Sequence, residues 1–118
     1  MPRDESPRDF ASLLDIWNAA RLVEGFVKGI DRDSFSSDSK TQSAIILQIA
    51  LVGEATKRLS RPFREAHPTV PWSEMAGMRD VLIHGYDAWD LDEVWRAATV
   101  DIPRLLAVIA PLIPDERT

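Results

Sequence analysis

Between residues 91 and 113 apolar side chains recur at steps of three and four: Leu91, Val94, Trp95, Ala98, Ile102, Leu105, Leu106, Ile109 and Ile113. A strand would show alternation at steps of two, so this spacing predicts a long helix with one buried face. Asp90 stands where an N-cap is needed, and Pro111 and Pro114 close the far end. Pro103 lies inside the run and has no backbone N–H to donate, which predicts a kink. A stripe of this length needs other helices to cover it.

The rest of the chain supplies them. Ser6-Pro7 reads as an N-cap followed by Pro at the first helical position. A first helix then runs to about Lys28. Phe10, Leu13, Leu14, Trp17, Ala20 and Glu24 fall on helical spacing, Ile16, Val23 and Val27 widen the apolar face, and Gly29 is the stop. An Asp- and Ser-rich connection follows, from which Phe35 is expected to tuck onto the core. Asp38 or Ser39 caps a second helix to about Leu59. Its middle is apolar on much of its circumference, so it is either central or faces a second subunit. Small residues at Ala50, Gly53 and Ala55 leave room for another helix to approach closely. Arg61 to Ala66 reads as a short helix ended by His67-Pro68. A further helix is expected from Trp72 to His84, with Gly85 as its left-handed stop. The expected fold is all-α, an antiparallel four-helix bundle with a short extra helix, forming one domain over residues 1–118 with a loose tail at 1–5.

Composition excludes several classes. The absence of cysteine removes disulfide and thiolate chemistry and fits a cytoplasmic protein, and two His with no Cys argue against a structural zinc site. The longest uncharged run, Thr41 to Gly53, is too short to span a bilayer, and the charged N-terminus holds no apolar signal segment. A net charge of −5 opposes general electrostatic binding of nucleic acid over the whole surface. The run Lys57, Arg58, Arg61 and Arg64 is either a local basic patch or a set of solvated helix faces.

Chemistry concentrates between Gly77 and Tyr86, which holds the only Tyr and one of the two His residues. On a helix, Asp80 and His84 would share a face within about 40°, so Asp80 would orient the imidazole. Arg79 and His84 would lie about 140° apart, so both reach one ligand only at the helix end. A guanidinium offers a fork of donors to phosphate, and an imidazole moves protons near neutral pH. Together they suit RNA phosphodiester cleavage without a metal. His67 lies before Pro68, so one chain supplies one suitable His, and a two-residue acid–base scheme needs a second copy. The same residues also fit ordinary ion pairing and helix capping. The four Trp residues and the pair Met75 and Met78 read as core.

The order Arg79, His84, Tyr86 matches the RxxxxHxY pattern, and the chain resembles the HepT-like branch of the HEPN ribonuclease toxins. The resemblance extends through Val52-Gly53-Glu54-Ala55-Thr56-Lys57-Arg58-Leu59, His67-Pro68, Pro71-Trp72, Gly77-Met78-Arg79-Asp80, Tyr86-Asp87, Asp90-Leu91 and Val94-Trp95. It covers roughly residues 10–113. It implies a homodimeric, metal-independent endoribonuclease with no cofactor, whose cleft is formed by both copies of Arg79 and His84, with Asp80 supporting. Relatives often carry Asn after the motif Arg, where this chain has Asp80. The expected products are a cyclic phosphate and a 5′-hydroxyl. It further implies a partner, a nucleotidyltransferase antitoxin of the MNT type, that transfers AMP onto the motif tyrosine, here Tyr86. Glu54 would help order the site. The alternatives are a non-catalytic partner subunit that docks a nucleotidyltransferase and binds nucleotide or RNA, and a plain helical interaction module.

Overall fold

The computed structural model describes residues 7–84 and 88–114, with the side chain of His84 outside the description. Most of the described residues are helical. Helices α1 (Pro7–Val27) and α3 (Ser39–Lys57) are the two long early elements and pack along each other. The short α2 (Arg32–Ser36) sits in the connection between them, followed by α4 (Arg61–Ala66) and α5 (Trp72–Ala76) after α3. A 3₁₀ turn over Asp80–Leu82 leads into a two-residue strand β1 (Ile83–His84), which pairs antiparallel with β2 (Ala88–Trp89). The final helix begins as α6 (Leu91–Arg96), widens to a π turn at Ala97–Asp101, continues as α7 (Ile102–Ile109) and tightens to 3₁₀ at Ala110–Leu112. Among the described residues no helix is long and apolar enough to cross a membrane.

The N-caps follow the sequence. Asp38 accepts from the Thr41 amide, and Asp90 accepts from those of Asp92 and Glu93. Gly29, with φ of +81°, is the left-handed residue after α1. Ser6 lies outside the described residues. One difference concerns α1. Its buried face is Asp9, Ser12, Leu13, Ile16, Ala19, Ala20 and Val23, while Glu24 is exposed and pairs with Arg21 at 3.6 Å. A second is α2, which forms inside the expected connection because Asp31 caps it by accepting from the Ser34 amide. Phe35 does bury fully from there, against Trp95 at 5.1 Å between ring centroids.

Pro103 acts through the π turn. In an α-helix residue 103 would donate to the Thr99 carbonyl, which proline cannot do and which its ring crowds. The turn opens, and the Ile102 amide reaches back five residues to the Ala97 carbonyl. The stripe stays continuous across it, since Val94, Ala98, Ile102, Leu105 and Ile109 are all buried. Each large aliphatic side chain so buried contributes about 1.5–3 kcal/mol.

Gly53 faces α5. A Cβ there would lie 3.1 Å from the Ala76 carbonyl oxygen and 3.6 Å from that of Met75. The obstacle is backbone, so it yields poorly. Gly53→Ala gains helix propensity of about 1 kcal/mol but meets this contact. Gly53→Val is expected to destabilise by about 1–3 kcal/mol, as overpacked cores do. A urea denaturation curve with an unchanged midpoint for Gly53→Val would show that α5 gives way freely.

The two acidic caps of α2 and α3 carry a pH dependence. Backbone and side-chain hydrogen bonds from Ser34 hold the Asp31 carboxyl below its ordinary 3.8, and bonds from the Thr41 hydroxyl and amide do the same for Asp38. Depressed folded values mean that their stabilisation is fully present above pH 3.8 and is lost as pH falls through the folded values. Asparagine caps comparably well without titrating. Asp38→Asn is therefore expected to leave thermal stability at pH 7 nearly unchanged and to lessen its loss in acid. Melting curves from pH 7 to pH 2.5 with parallel slopes for both proteins would contradict the assignment.

Candidate active site

The stretch that carries the motif is fixed at both ends by burial. Trp72 opens α5 and donates its indole N–H to the carbonyls of His67, at 2.9 Å, and Arg64, at 3.2 Å. Phe63 packs against both Trp72 and His67. His67 therefore serves the joint between α4 and α5. Met75, Met78 and Leu82 point inward and are buried, while Arg79 and Asp80 point outward between them.

The helix expected to reach His84 ends at Ala76. The Gly77 amide bonds back to Ser73 and Glu74 and closes it, one 3₁₀ turn follows, and Ile83 is already extended. Gly77 and the β-branched pair Val81 and Ile83 disfavour continued helix, and the ladder to β2 rewards the extended state. His84 thus lies on a small hairpin. Ile83 stands opposite Trp89 and His84 opposite Ala88, and the Asp90 amide closes the base by donating to the Leu82 carbonyl at 2.7 Å. Asp80 and His84 do not share a helix face. Asp80 instead lies beside Arg79, with Nη1 to Oδ1 at 3.7 Å and both side chains largely in solvent. Tyr86, with Gly85 and Asp87, lies outside the described residues.

Arg79 lines a groove of about 520 Å³ together with Ser39, Gln42 and Leu47 of α3, and with Trp89 and Leu91. Gln42 is held in place by donating to the carbonyls of Phe35 and Ser36. Elsewhere, Arg32 of α2 bonds and pairs with Asp92 of α6. Trp89 and Gln42 are absent from the sequence-based site. Trp72 and Trp95 belong to or pack against the core as expected, but Trp89 is 38% exposed. Three members of the basic run form solvated pairs, Lys57 with Glu54, Arg58 with Asp15 and Arg61 with Glu65. Glu54 is therefore exposed on α3 beside Lys57.

A small helical protein that presents an arginine on an open groove, at the base of a hairpin carrying a histidine, has the elements of an anion-handling site. The description Ribonuclease HepT-like matches residues 16–112, and the chain belongs to this family. It is 43% identical over 93 residues to "Probable ribonuclease HepT" of Thermococcus cleftensis, covering 79% of this chain and 84% of that protein. It is 38% identical over 101 residues to "Putative RNase MJ1380" of Methanocaldococcus jannaschii, covering 85% and 93%. It is also 37% identical over 91 residues to "Putative RNase TTE0752" of Caldanaerobacter subterraneus, covering 77% and 81%. No solved structure gives a significant match.

Proposed function

We propose that this chain is a metal-independent endoribonuclease toxin whose active cleft forms between two copies, and that a nucleotidyltransferase antitoxin silences it by adding AMP to Tyr86. The observation that carries the reading is the placement of Arg79. Its guanidinium is half-exposed on a groove, and its one ion pair among the described residues is the loose, solvated one with Asp80. Exposed pairs of this kind are weak, so the donors of Arg79 remain available to a phosphate.

In this scheme a base removes the proton of a ribose 2′-hydroxyl. The 2′-oxygen bonds to the adjacent phosphorus as the bond from phosphorus to the 5′-oxygen breaks. An acid gives the departing 5′-oxygen its proton. The products are a 2′,3′-cyclic phosphate and a 5′-hydroxyl. His84 of one copy is the base and His84 of its partner the acid, which accounts for a single motif histidine per chain. Arg79 stabilises the charge that gathers on the phosphoryl oxygens. Asp80 supports the site through its neighbour Arg79. Leu47 and Leu51, one helical turn apart and exposed on α3, give this side an apolar edge that supports self-association. AMP transfer joins the Tyr86 phenolic oxygen to the α-phosphorus of ATP and releases pyrophosphate. A bulky anion two residues from His84 would block the cleft and repel RNA.

The experiment is end-group analysis of cleaved RNA beside mass spectrometry of the chain after incubation with the cognate nucleotidyltransferase and ATP. Cyclic-phosphate ends, and one AMP mass that vanishes in Tyr86→Phe, are expected. Linear 5′-phosphate ends would overturn the cleavage scheme, and AMP mass persisting in Tyr86→Phe would move the modification elsewhere.

A further inference from the structure

We propose that Trp89 forms a stacking subsite for one unpaired base of single-stranded RNA, with Arg79 across the groove taking the adjoining phosphate. The proposal rests on the ribonuclease reading and names how that site grips its substrate.

Four observations carry it. First, Trp89 is 38% exposed, whereas Trp72 is 7% exposed and spends its indole N–H on α4. The core does not account for a large aromatic left in solvent on a two-residue strand. Second, the backbone that carries the indole is anchored. It pairs with Ile83, and the next residue, Asp90, both closes the hairpin onto Leu82 and caps α6. An aromatic side chain on an anchored backbone has less freedom to lose when a base stacks on it.

Third, the groove suits an anion with an aromatic ring. The protein carries a net charge of −5, yet among the described residues the lining that includes Trp89 contains no carboxylate and one arginine. The larger groove on the other side of the Met78 turn is lined by Glu74, Glu93 and Asp101 as well as by arginines. Apart from the solvated Asp80 beside Arg79, charge complementarity thus favours the Trp89 groove over the larger one for a phosphate chain. Fourth, its volume of about 520 Å³ falls within the range of roughly 300–1,000 Å³ usual for small-ligand sites. Gln42 adds a fixed polar edge, because its amide nitrogen donates to two carbonyls and its oxygen, with no donor among the described residues, can accept from a base amino group. Stacking on an indole requires an exposed base face, so the occupant is single-stranded rather than duplex.

The test uses the full chain and a fluorescein-labelled single-stranded RNA carrying 2′-O-methyl riboses, which lack the attacking hydroxyl and cannot be cut. Binding is read by fluorescence anisotropy for wild type, Trp89→Phe and Trp89→Leu, with sedimentation velocity on each protein. Phe keeps a π face and is expected to bind within about threefold of wild type, whereas Leu keeps apolar bulk without it and is expected to bind about tenfold more weakly. All three are expected to sediment alike. Equal binding by Trp89→Leu would overturn the subsite. So would a change in its oligomeric state, which would make Trp89 a contact between copies. If wild type cuts unmodified RNA while Trp89→Leu binds the probe as tightly, the subsite alone fails. If wild type neither binds nor cuts RNA, the ribonuclease reading fails and the subsite falls with it.

Discussion

His84→Ala is expected to slow RNA cleavage by roughly 10²–10⁴-fold, the usual worth of a positioned acid–base group, with the fold unchanged. The backbone argument for an intact fold is direct. His84 occupies the hairpin rather than a helix, and its strand pairing to Ala88 depends on main-chain groups that alanine retains. Arg79→Ala is expected to cost about 10²–10³-fold, as loss of one donor aimed at developing negative charge does. Arg79 is half-exposed and its ion pair with Asp80 is solvated, so this change removes little stability. Both substitutions should lower turnover more than they weaken binding of uncleavable RNA. Single-turnover cleavage assays alongside circular dichroism check both statements. A folded variant that still cuts at the wild-type rate would remove that residue from the mechanism.

The second large effect concerns stability. Asp9 is 2% exposed in the first turn of α1, and its two carboxylate oxygens accept from the Ser60 amide and the Ser60 hydroxyl, each at 2.7 Å. The Ser60 hydroxyl oxygen in turn accepts from the Phe63 amide and caps α4. One carboxylate therefore ties the start of α1 to the start of α4, and α4 holds Trp72 at the entrance to the motif. Asp9→Ala leaves a shielded backbone donor and a hydroxyl without their acceptor. Hydrogen bonds to a charged group are worth about 1.5–3 kcal/mol each, and a loss of about 3 kcal/mol overall is expected. Asp9→Asn keeps one acceptor oxygen and should fall between the two. Urea denaturation midpoints rank the three proteins. An Asp9→Ala midpoint within error of wild type would show that the tie contributes nothing.

Most of the helical frame is legible in the sequence because it is set locally. The stripe from Leu91 to Ile109, the caps Asp38 and Asp90 and the stop at Gly29 each declare themselves within one or two turns. What escapes is decided at a distance. Nothing local to Val81, Leu82 and Ile83 reports that the Asp90 amide will close onto Leu82, and that contact turns an expected helix end into a hairpin. The α2 helix escapes for a related reason. Its five residues are too few to show a period, and only Asp31 marks its start. Of the groove residues, Arg79 is the one its motif marks. Trp89 is not, because tryptophan reads as core until its exposure is seen.

The central claim is metal-free RNA cleavage that depends on His84. Protein produced and purified without any nucleotidyltransferase, incubated with RNA in EDTA beside His84→Ala, tests it most directly. Cleavage by wild type alone, leaving cyclic-phosphate ends, is the predicted result. No cleavage by folded wild type, or equal cleavage by both proteins, would contradict it; the first outcome would favour a non-catalytic subunit that docks a nucleotidyltransferase.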